Sequence, residues 1–542
     1  MNVIDSFRSL FHFICLGTLA VLVLYGCKRR DKALENNFVR MEKGKMLYQG
    51  KVWFPVLVNY VVDFVQTPEG PALSPTRNYE DPASYEYLHQ EGLYNQFDAH
   101  FTLLARNGVN SIRLCFDRTS HTDKGVFYSV HQGPPLSAIA DTALIYNALT
   151  PVIRAAGEHG IRIMLLIRNP ASHPELEPFT LGLLKRFARE PIIFSYDFFN
   201  EPLYFDSQRL SKNEVYHHVK TWRKWMDEHA PLQLFTIGVA EPIEVSRWDV
   251  SVLPIDFVAF HTYHPLRVPN EVYWYSRYAG KPWMIGETNL PANGDSISYD
   301  EQRQFMLEAL AQSKRCGAVG FGWWEFQDEP PLARDEWAYG GLLNNEGLTT
   351  VPGKTHVIQG TPKPAFGHLA KALEKTYTGP CTCAVNYHNM VGYENIVLRG
   401  TVVDAKTNRP IEGATIRGWN ETWAVGMNTF SDAQGHFTLY SNDECVHFEI
   451  SAPGTELFKF SQRYVYTPLK PGAPPITELP RRDLEYHSIH YQPFLRNLPI
   501  PERIEAEHYV FDFNPELFAR AVYQGNMGLV PLQRFKPQKP GK

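Results

Sequence analysis

The sequence predicts an α/β chain: a (β/α)8 barrel followed by a small all-β sandwich domain. Three observations carry that expectation. Across residues 51–378, short apolar runs alternate with amphipathic stretches regularly enough to count eight strand–helix units. Polar residues gather at the C-terminal ends of many of those runs, which is where barrels carry their working loops. The composition then shifts at Thr378-Gly379-Pro380, and short strand patterns separated by turn residues follow. A doubly wound open sheet is the rival. It is disfavoured because no Gly-rich phosphate loop follows the first strand and the polar residues do not converge on one switch point.

At 542 residues the chain exceeds what one hydrophobic core usually serves. Apolar residues make up 44% and charged residues 20%, an ordinary globular balance, while the aromatic share of 13% is high enough to suit surfaces that stack on flat rings. Most of those aromatics are still expected in cores. A net charge of −5 with interspersed signs leaves no electrostatic footprint for nucleic acid, so no nucleic-acid partner is expected.

Taken in order, residues 1–27 read as a lipoprotein signal peptide. The apolar run at 10–26 is short for a membrane span and suits a signal core. It ends in Leu24-Tyr25-Gly26-Cys27, which resembles a bacterial lipobox with Cys27 as the lipidated residue, so that the chain is expected to be tethered to a membrane of the bacterial cell envelope on its periplasmic or cell-surface face. The positive charges Lys28, Arg29, Arg30 and Lys32 follow the run instead of preceding it, which keeps an uncleaved signal anchor or a plain cleaved signal as alternatives. Residues 28–50 are expected to be a linker.

The barrel, 51–378, offers strands at 52–60, 111–117, 161–167, 193–200, 234–239, 257–261, 283–287 and 319–324. Helical stretches lie at 87–107, 138–159, 176–189, 211–229 and 299–316, with Gly108, Gly160 and Gly317 as closing glycines, and 364–377 reads as the last helix. A linker at 379–394 leads to a sandwich at 395–468 with strands at 397–403, 414–418, 436–440 and 447–451. The tail, 469–542, is rich in proline and is expected to be extended or packed over other surfaces. Within the sandwich, Gly400-Thr401-Val402-Val403-Asp404, Pro410-Ile411-Glu412-Gly413-Ala414 and Ser431-Asp432-Ala433-Gln434-Gly435-His436-Phe437 resemble the carboxypeptidase-regulatory-like, transthyretin-type domain. That resemblance implies a spacer or docking module without peptidase activity.

Seven cysteines are few for this length. Cys15 lies in the signal and Cys27 is the lipidation candidate. Cys115 and Cys316 sit in apolar contexts and read as buried small hydrophobes. Cys445 is expected to pair with Cys381 or Cys383 in an oxidising compartment. Metal binding is the weaker reading, because no histidine pair stands nearby at ligand spacing.

Two carboxylates stand out chemically. The apolar run 193–199 ends in Asn200-Glu201-Pro202, and Pro282-Trp283-Met284-Ile285-Gly286 runs into Glu287. Glutamates at the ends of the fourth and seventh strands share one barrel face, and a carboxyl pair there fits glycosidic bond cleavage: one protonates the leaving oxygen while the other attacks or activates water. A strand-end charge facing water is the plain alternative for either residue alone.

The residues around the pair make the likeness specific. Arg113 ends strand two, Asn200-Glu201-Pro202 strand four, His261-Thr262-Tyr263 strand six, Glu287 strand seven and Trp324 strand eight. In that order the barrel resembles a clan A retaining glycoside hydrolase, closest to family 5, the family of cellulases and mannanases. The resemblance implies Glu201 as acid/base and Glu287 as nucleophile, the latter held by Arg113 and the Tyr263 hydroxyl. It implies Asn200 on the sugar 2-hydroxyl, His261 orienting the acid/base or a sugar hydroxyl, and Trp324 as a stacking floor. Alternation along a strand lets only one of Trp323 and Trp324 face the axis; Trp324 is preferred because Trp324-Glu325-Phe326-Gln327-Asp328 resembles the family run in which polar residues follow the platform.

Strand three departs from the family pattern. It ends in Ile167-Arg168-Asn169-Pro170 where the family carries a histidine, so Asn169, or His173 in the loop, is the substitute candidate. Asn59 and Tyr60 near strand one are further sugar-contact candidates, as are Asp63 and Trp337. The expectation is a retaining β-glycoside hydrolase acting by double displacement on a β-linked oligo- or polysaccharide of glucan or mannan type, with neither metal nor cofactor. The alternative is a catalytically inactive carbohydrate-binding surface lipoprotein on the same barrel. Transglycosylation would use the same residues.

Overall fold

The computed structural model describes residues 35–75, 89–116, 121–122, 125–126, 142–167, 177–202, 210–240, 242–263, 268–294, 297–328, 339–382, 396–423, 426–441, 443–476 and 521–538. Eight parallel strands form the barrel: Val56–Thr67, Ser111–Phe116, Arg162–Leu166, Ile193–Asn200, Leu234–Val239, Val258–His261, Trp283–Glu287 and Phe321–Trp323. Each pairs with the next, and Phe321–Trp323 pairs back onto Val56–Val58, which closes the ring. The strands read as nearly unbroken apolar runs because they are covered on both sides, by helices outside and by each other's side chains within. Arg162–Leu166 and Leu234–Val239 are buried at every position.

The helices Gln90–Arg106, Thr142–Glu158, Glu177–Arg186, Lys212–His229, Pro242–Trp248, Val268–Tyr278, Tyr299–Arg315 and Pro364–Glu374 complete the barrel. Two of them start at full capping boxes, Ser211 with Glu214 and Ser298 with Glu301, each serine and glutamate satisfying the other's backbone N–H. Gly108, Gly160 and Gly317 all adopt positive φ just past helix ends.

The stretch read as a linker at 28–50 contains more than a linker. Arg40–Glu42, Lys45–Tyr48 and Lys51–Val52 form a three-stranded antiparallel meander. Val39 and Met46 pack against Leu57, Met164, Phe194, Leu234, Phe257, Ala259, Met284 and Val319, the apolar residues at the starts of the barrel strands. The meander therefore plugs the N-terminal end of the barrel and leaves the opposite end for chemistry. It also takes Val52 from the expected first strand, which starts at Val56, just past Pro55.

The second domain is a sandwich of two four-stranded sheets, as the strand spacing implied. One sheet runs His436–Ser441, Ile396–Asp404, Tyr523–Leu532, Tyr466–Pro468; the other runs Gly426–Phe430, Thr415–Trp419, His447–Ser451, Phe458–Ser461. Leu398, Val402, Ile416, Phe437, Leu439, Phe448, Ile450, Val530 and Leu532 fill the space between them. Tyr523–Leu532 corrects the reading of 469–542 as a tail, because it pairs in parallel with Ile396–Asp404 inside the sheet. Gly525, Gly528 and Pro531 disguised it as a loop, and a bulge opposite Arg399 and Gly400 absorbs the irregularity.

The sandwich leans on the barrel. The Trp274 indole donates to the Gly413 carbonyl at 3.0 Å, the Gly454 amide to Asp249 at 2.8 Å, and the Tyr278 hydroxyl to Glu412 at 2.6 Å. Lys212 is buried at the junction, donating to Ser451 Oγ at 2.9 Å and lying 3.7 Å from Asp249; burial depresses its ammonium to about 8. Among the described residues, no helix is long and apolar enough to cross a membrane.

The cysteine pairing also differs from expectation. Cys316 and Cys381 form the disulfide, while Cys445 is a free buried thiol that burial pushes up to about 12. Cys115 is buried and forms no disulfide. Cys316 caps the helix Tyr299–Arg315, and the last helix, Pro364–Glu374, packs beside it and delivers Cys381 to the same end, a proximity that only the fold creates. Cys383 lies outside the described residues.

The bond closes a loop with a sequence separation of 65 residues. Cys316→Ala should cost about 2–4 kcal/mol of stability. Denaturant titration should show a lower midpoint for the variant under oxidising conditions and equal midpoints once both proteins are reduced.

Candidate active site

Arg113 projects inward from the second barrel strand and is fully buried. Its Nε donates to Asp197 Oδ2 at 2.8 Å, and Nη2 lies 2.8 Å from the same oxygen. Nη2 also donates to Asn200 Oδ1 at 2.8 Å, and Nη1 to Asn59 Oδ1 at 3.2 Å and to Glu287 Oε1. Burial works against the guanidinium's charge, but Asp197 and Glu287 outweigh it and hold the group above its ordinary value. Asp197 is itself fixed, its Oδ1 accepting from the Gly238 amide at 2.8 Å and the Phe199 amide at 3.3 Å.

The fourth strand reaches this arrangement by breaking its own alternation. Its register against the fifth strand shifts between Asp197 and Asn200, so both residues reach Arg113 while Phe198 and Phe199 pack outward on Trp222 and Trp248. Glu201 follows with φ of 44°, in the left-handed region that a glutamate seldom adopts, and its amide donates to the Gly238 carbonyl at 3.0 Å.

Glu201 Oε1 lies 2.7 Å from His261 Nδ1, which is also 3.4 Å from Glu287 Oε1. The imidazole fits because the flanking strands carry glycine beside it. A Cβ at Gly238 would come within 2.9 Å of the ring and one at Gly286 within 3.1 Å. Burial pulls His261 down to about 4, so the ring is neutral near pH 7. With two carboxylates facing Nδ1, the Nδ1–H tautomer is the one that donates to an acceptor.

Glu287 ends the seventh strand, buried, with Arg113 on Oε1 and the Tyr263 hydroxyl donating to Oε2. Burial raises its carboxyl above the ordinary range, opposed by His261, Arg113 and Tyr263 and reinforced by Glu201. Burial and the facing carboxylates also raise the Tyr263 phenol, which therefore stays protonated as a donor. One ligand atom from each of Glu201, His261 and Glu287 falls within 4.8 Å of the others. Among the described residues, those three could hold a cation. Both Glu287 oxygens are already engaged by protein donors, one of them cationic, a set that suits an anion held for reaction.

The structure thus brings Arg113, Asn200, Glu201, His261, Tyr263 and Glu287 together at one end of the barrel. Trp324 joins them, half-buried over Val61, Cys115 and Leu166, whereas Trp323 points outward and donates to the Gly340 carbonyl at 2.9 Å. Asn59 is corrected: it is wholly buried, with Nδ2 donating to the Gly286 and Trp323 carbonyls at 2.9 and 3.1 Å, and supports Arg113 without facing the cleft. Tyr60 is likewise turned into the core, 2.6 Å from His100 Nδ1. Asp63 is buried further along the same strand. Asn169, His173, Trp337 and Cys27 lie outside the described residues.

Asp197 was missed by sequence reasoning. Its signal was an acid inside an otherwise apolar strand, three residues before Asn200. Lys363 was missed too: buried, it donates to Asp328 at 2.7 Å and to the Ala292 and Tyr339 carbonyls at 3.0 and 2.9 Å, tying together the loops after strands seven and eight.

Because Arg113 pulls the Glu287 carboxyl down against burial, Arg113→Met should raise that carboxyl further. Titration of carbon-13-labelled glutamate by NMR, with Glu287→Gln to assign the resonance, should show the upward move; an unchanged value would remove Arg113 from control of this charge.

No protein-family model matches the chain, and no curated protein matches its sequence. Solved structures similar to it include a variant of GH5_18 from Streptomyces cattleya in complex with Manb1-4GlcNAc, at 14% identity over 65% of this chain and 85% of that one, with a TM-score of 0.41. A glycoside hydrolase family 5 mannosidase from Rhizomucor miehei is 11% identical over 62% of this chain and 97% of its own, with a TM-score of 0.41. Bacteroides uniformis beta-glucuronidase 2 is 13% identical over 79% of this chain, with a TM-score of 0.43, and this chain spans 47% of its length.

Proposed function

We propose that this chain is a retaining β-glycoside hydrolase acting by double displacement. The observation that carries the reading is the carboxyl pair: Glu201 and Glu287 present oxygens within 4.8 Å of each other on the open face, each held by a different kind of partner. Retaining enzymes keep their carboxyl groups about 5–5.5 Å apart, whereas inverting ones need roughly 6.5–9.5 Å to admit a water. An approach of one oxygen from each carboxylate within 4.8 Å is compatible with the shorter spacing, and the stereochemical test below decides between the two.

In the first step a Glu287 oxygen attacks the anomeric carbon as the glycosidic C–O bond breaks, and Glu201 transfers its proton to the departing oxygen. A glycosyl ester on Glu287 results. In the second step water gives a proton to Glu201 while its oxygen displaces Glu287, which restores both groups. Arg113 and Tyr263 hold Glu287 in place and ionised for attack. Neutral His261 steadies Glu201 by a hydrogen bond without placing a second cation beside it. Asn200 spends its carbonyl on Arg113, which leaves its NH2 group for the sugar 2-hydroxyl, where a hydrogen bond gains strength as positive charge develops on the ring. Trp324 offers a plane for a sugar face. A β-linked glycan of glucan or mannan type is the proposed substrate, supported by the resemblance of five strand ends to the family 5 pattern.

Product anomers test the stereochemistry. Proton NMR of the first turnovers on a β-linked substrate should show the β-anomer before mutarotation, and an initial α-anomer would mean inversion. Glu201→Gln should lower kcat by about 10²–10⁴-fold on substrates with poor leaving groups and by less on aryl glycosides with acidic phenols.

The pH profile has a definite sign. Glu287 attacks only when ionised, and burial raises its carboxyl, so activity is present above that raised value and lost as pH falls through it. The acid limb of kcat/KM should therefore lie above the ordinary glutamate value of about 4.3.

We further propose that Cys27 carries a lipid that tethers the enzyme to the cell envelope. Metabolic labelling with tritiated palmitate in a bacterial host should mark the wild type and not Cys27→Ala, which should leave the membrane fraction; equal labelling of both would end the assignment.

A further inference from the structure

The outer face of one sandwich sheet carries an arrangement that neither the core nor the catalytic site uses. Trp419, His447 and Ser461 stand side by side across three adjacent strands. The turn after Trp419 brings Trp423 back over this row. Its indole stacks on the His447 ring with centroids 4.0 Å apart and planes 7° from parallel, and its centroid is 5.2 Å from that of Trp419. Yet Trp423 remains 56% exposed, and it does so with φ of 62°, a backbone conformation that a bulky side chain seldom takes.

The support beneath it is fixed. His447 Nδ1 lies 2.8 Å from Ser461 Oγ and Nε2 lies 3.2 Å from the Glu421 carbonyl, so the imidazole cannot turn away from the indole. The Arg417 guanidinium packs over Trp419 at 4.6 Å. Around the platform lies a rim of hydrogen-bonding groups: Arg463 is 2.6 Å from Glu421 and 3.3 Å from Glu444. Next to the row, Glu449 pairs with Lys459 at 2.6 Å and reaches Arg247 of the barrel at 3.9 Å, so the platform borders the domain junction.

A single flat indole ringed by charged and polar side chains has too little apolar area for a protein partner, since a stable interface buries about 800 Å² per side and one tryptophan supplies about 250 Å² at most. It does match one pyranose face, with C–H groups on the ring and equatorial hydroxyls within reach of the rim. We propose that Trp423, backed by His447, is an ancillary binding site for the same β-linked glycan that the barrel cleaves. The ligand class rests on the glycosidase reading; the platform itself does not. Bound there, a polymer is held close to the catalytic domain, so the site raises its local concentration without touching the reacting atoms.

The test is affinity electrophoresis of the full chain in native gels containing soluble β-glucan or β-mannan, with a gel lacking polysaccharide as reference. Wild type should be retarded in at least one of the two, and Trp423→Ala should weaken that retardation about tenfold or more while leaving kcat/KM on a small aryl β-glycoside unchanged. Trp423→Phe should restore part of the binding. Equal retardation of wild type and Trp423→Ala, or no retardation of wild type in either gel, would overturn the proposal. So would a Trp423-dependent dimer in sedimentation without glycan binding, which would make a second copy the occupant. Retardation that depends on Trp423 in a protein without aryl glycosidase activity would uphold the platform and sink the catalytic reading, so the two failures are distinguishable.

Discussion

The arrangement at the C-terminal ends of these barrel strands depends on keeping one guanidinium charged inside protein. Arg113 has five N–H donors and no access to water, and it meets acceptors on Asp197, Asn200, Asn59 and Glu287. Removing any partner would leave a buried charge or donor unmatched, which is costly where water cannot replace it. The network therefore determines the positions of its members. It turns Asn200 toward the cleft, sets the plane of the Glu287 carboxylate and requires Asp197 on the fourth strand even though the surrounding residues are aromatic. The register shift that admits both Asp197 and Asn200 also leads into the left-handed backbone at Glu201. Charge satisfaction, strand geometry and the placement of the acid are thus one arrangement.

The rest of the molecule secures that arrangement from three sides. Below, the N-terminal meander seals the barrel against water with an apolar plug. Between the strands, Gly238 and Gly286 leave room for the His261 ring, which a side chain at either position would displace. Above, Lys363 and Asp328 bind two loops to each other, with burial raising the Asp328 carboxyl and the Lys363 ammonium opposing that rise. The sandwich, braced through Lys212, Trp274 and Tyr278, adds a second surface whose outer face lies apart from the Arg113 network.

What the sequence disclosed follows from which interactions are local. Strands covered on both faces write themselves as apolar runs, and helices announce their ends with serine caps and closing glycines, so the barrel and its polar strand ends were legible. Alternation allowed only one of Trp323 and Trp324 to face the axis, and the family resemblance of the polar run after Trp324 picked the second. The features that escaped depend on distant partners. The strand Tyr523–Leu532 is spelled with glycines and a proline and gains its identity only beside Ile396–Asp404, more than a hundred residues away. Cys316 joined Cys381 because two helices pack side by side, which spacing does not reveal. Asn59 looked like a sugar contact because it sits near a strand end, but it is buried beneath the arginine. Asp197 passed for a stray acid because its reason for being there is the charge of Arg113.

The central claim is that Glu287 becomes covalently attached to the sugar, and an intermediate trapped on the protein tests it most directly. The protein would be incubated with activated 2-deoxy-2-fluoro β-glucoside and β-mannoside, in which the fluorine slows the second step, and then digested and sequenced by mass spectrometry. The account predicts one added fluorosugar on the peptide containing Glu287, time-dependent loss of activity and recovery on dilution into an acceptor. A label on any other residue, or turnover of these glycosides without a label, would contradict it.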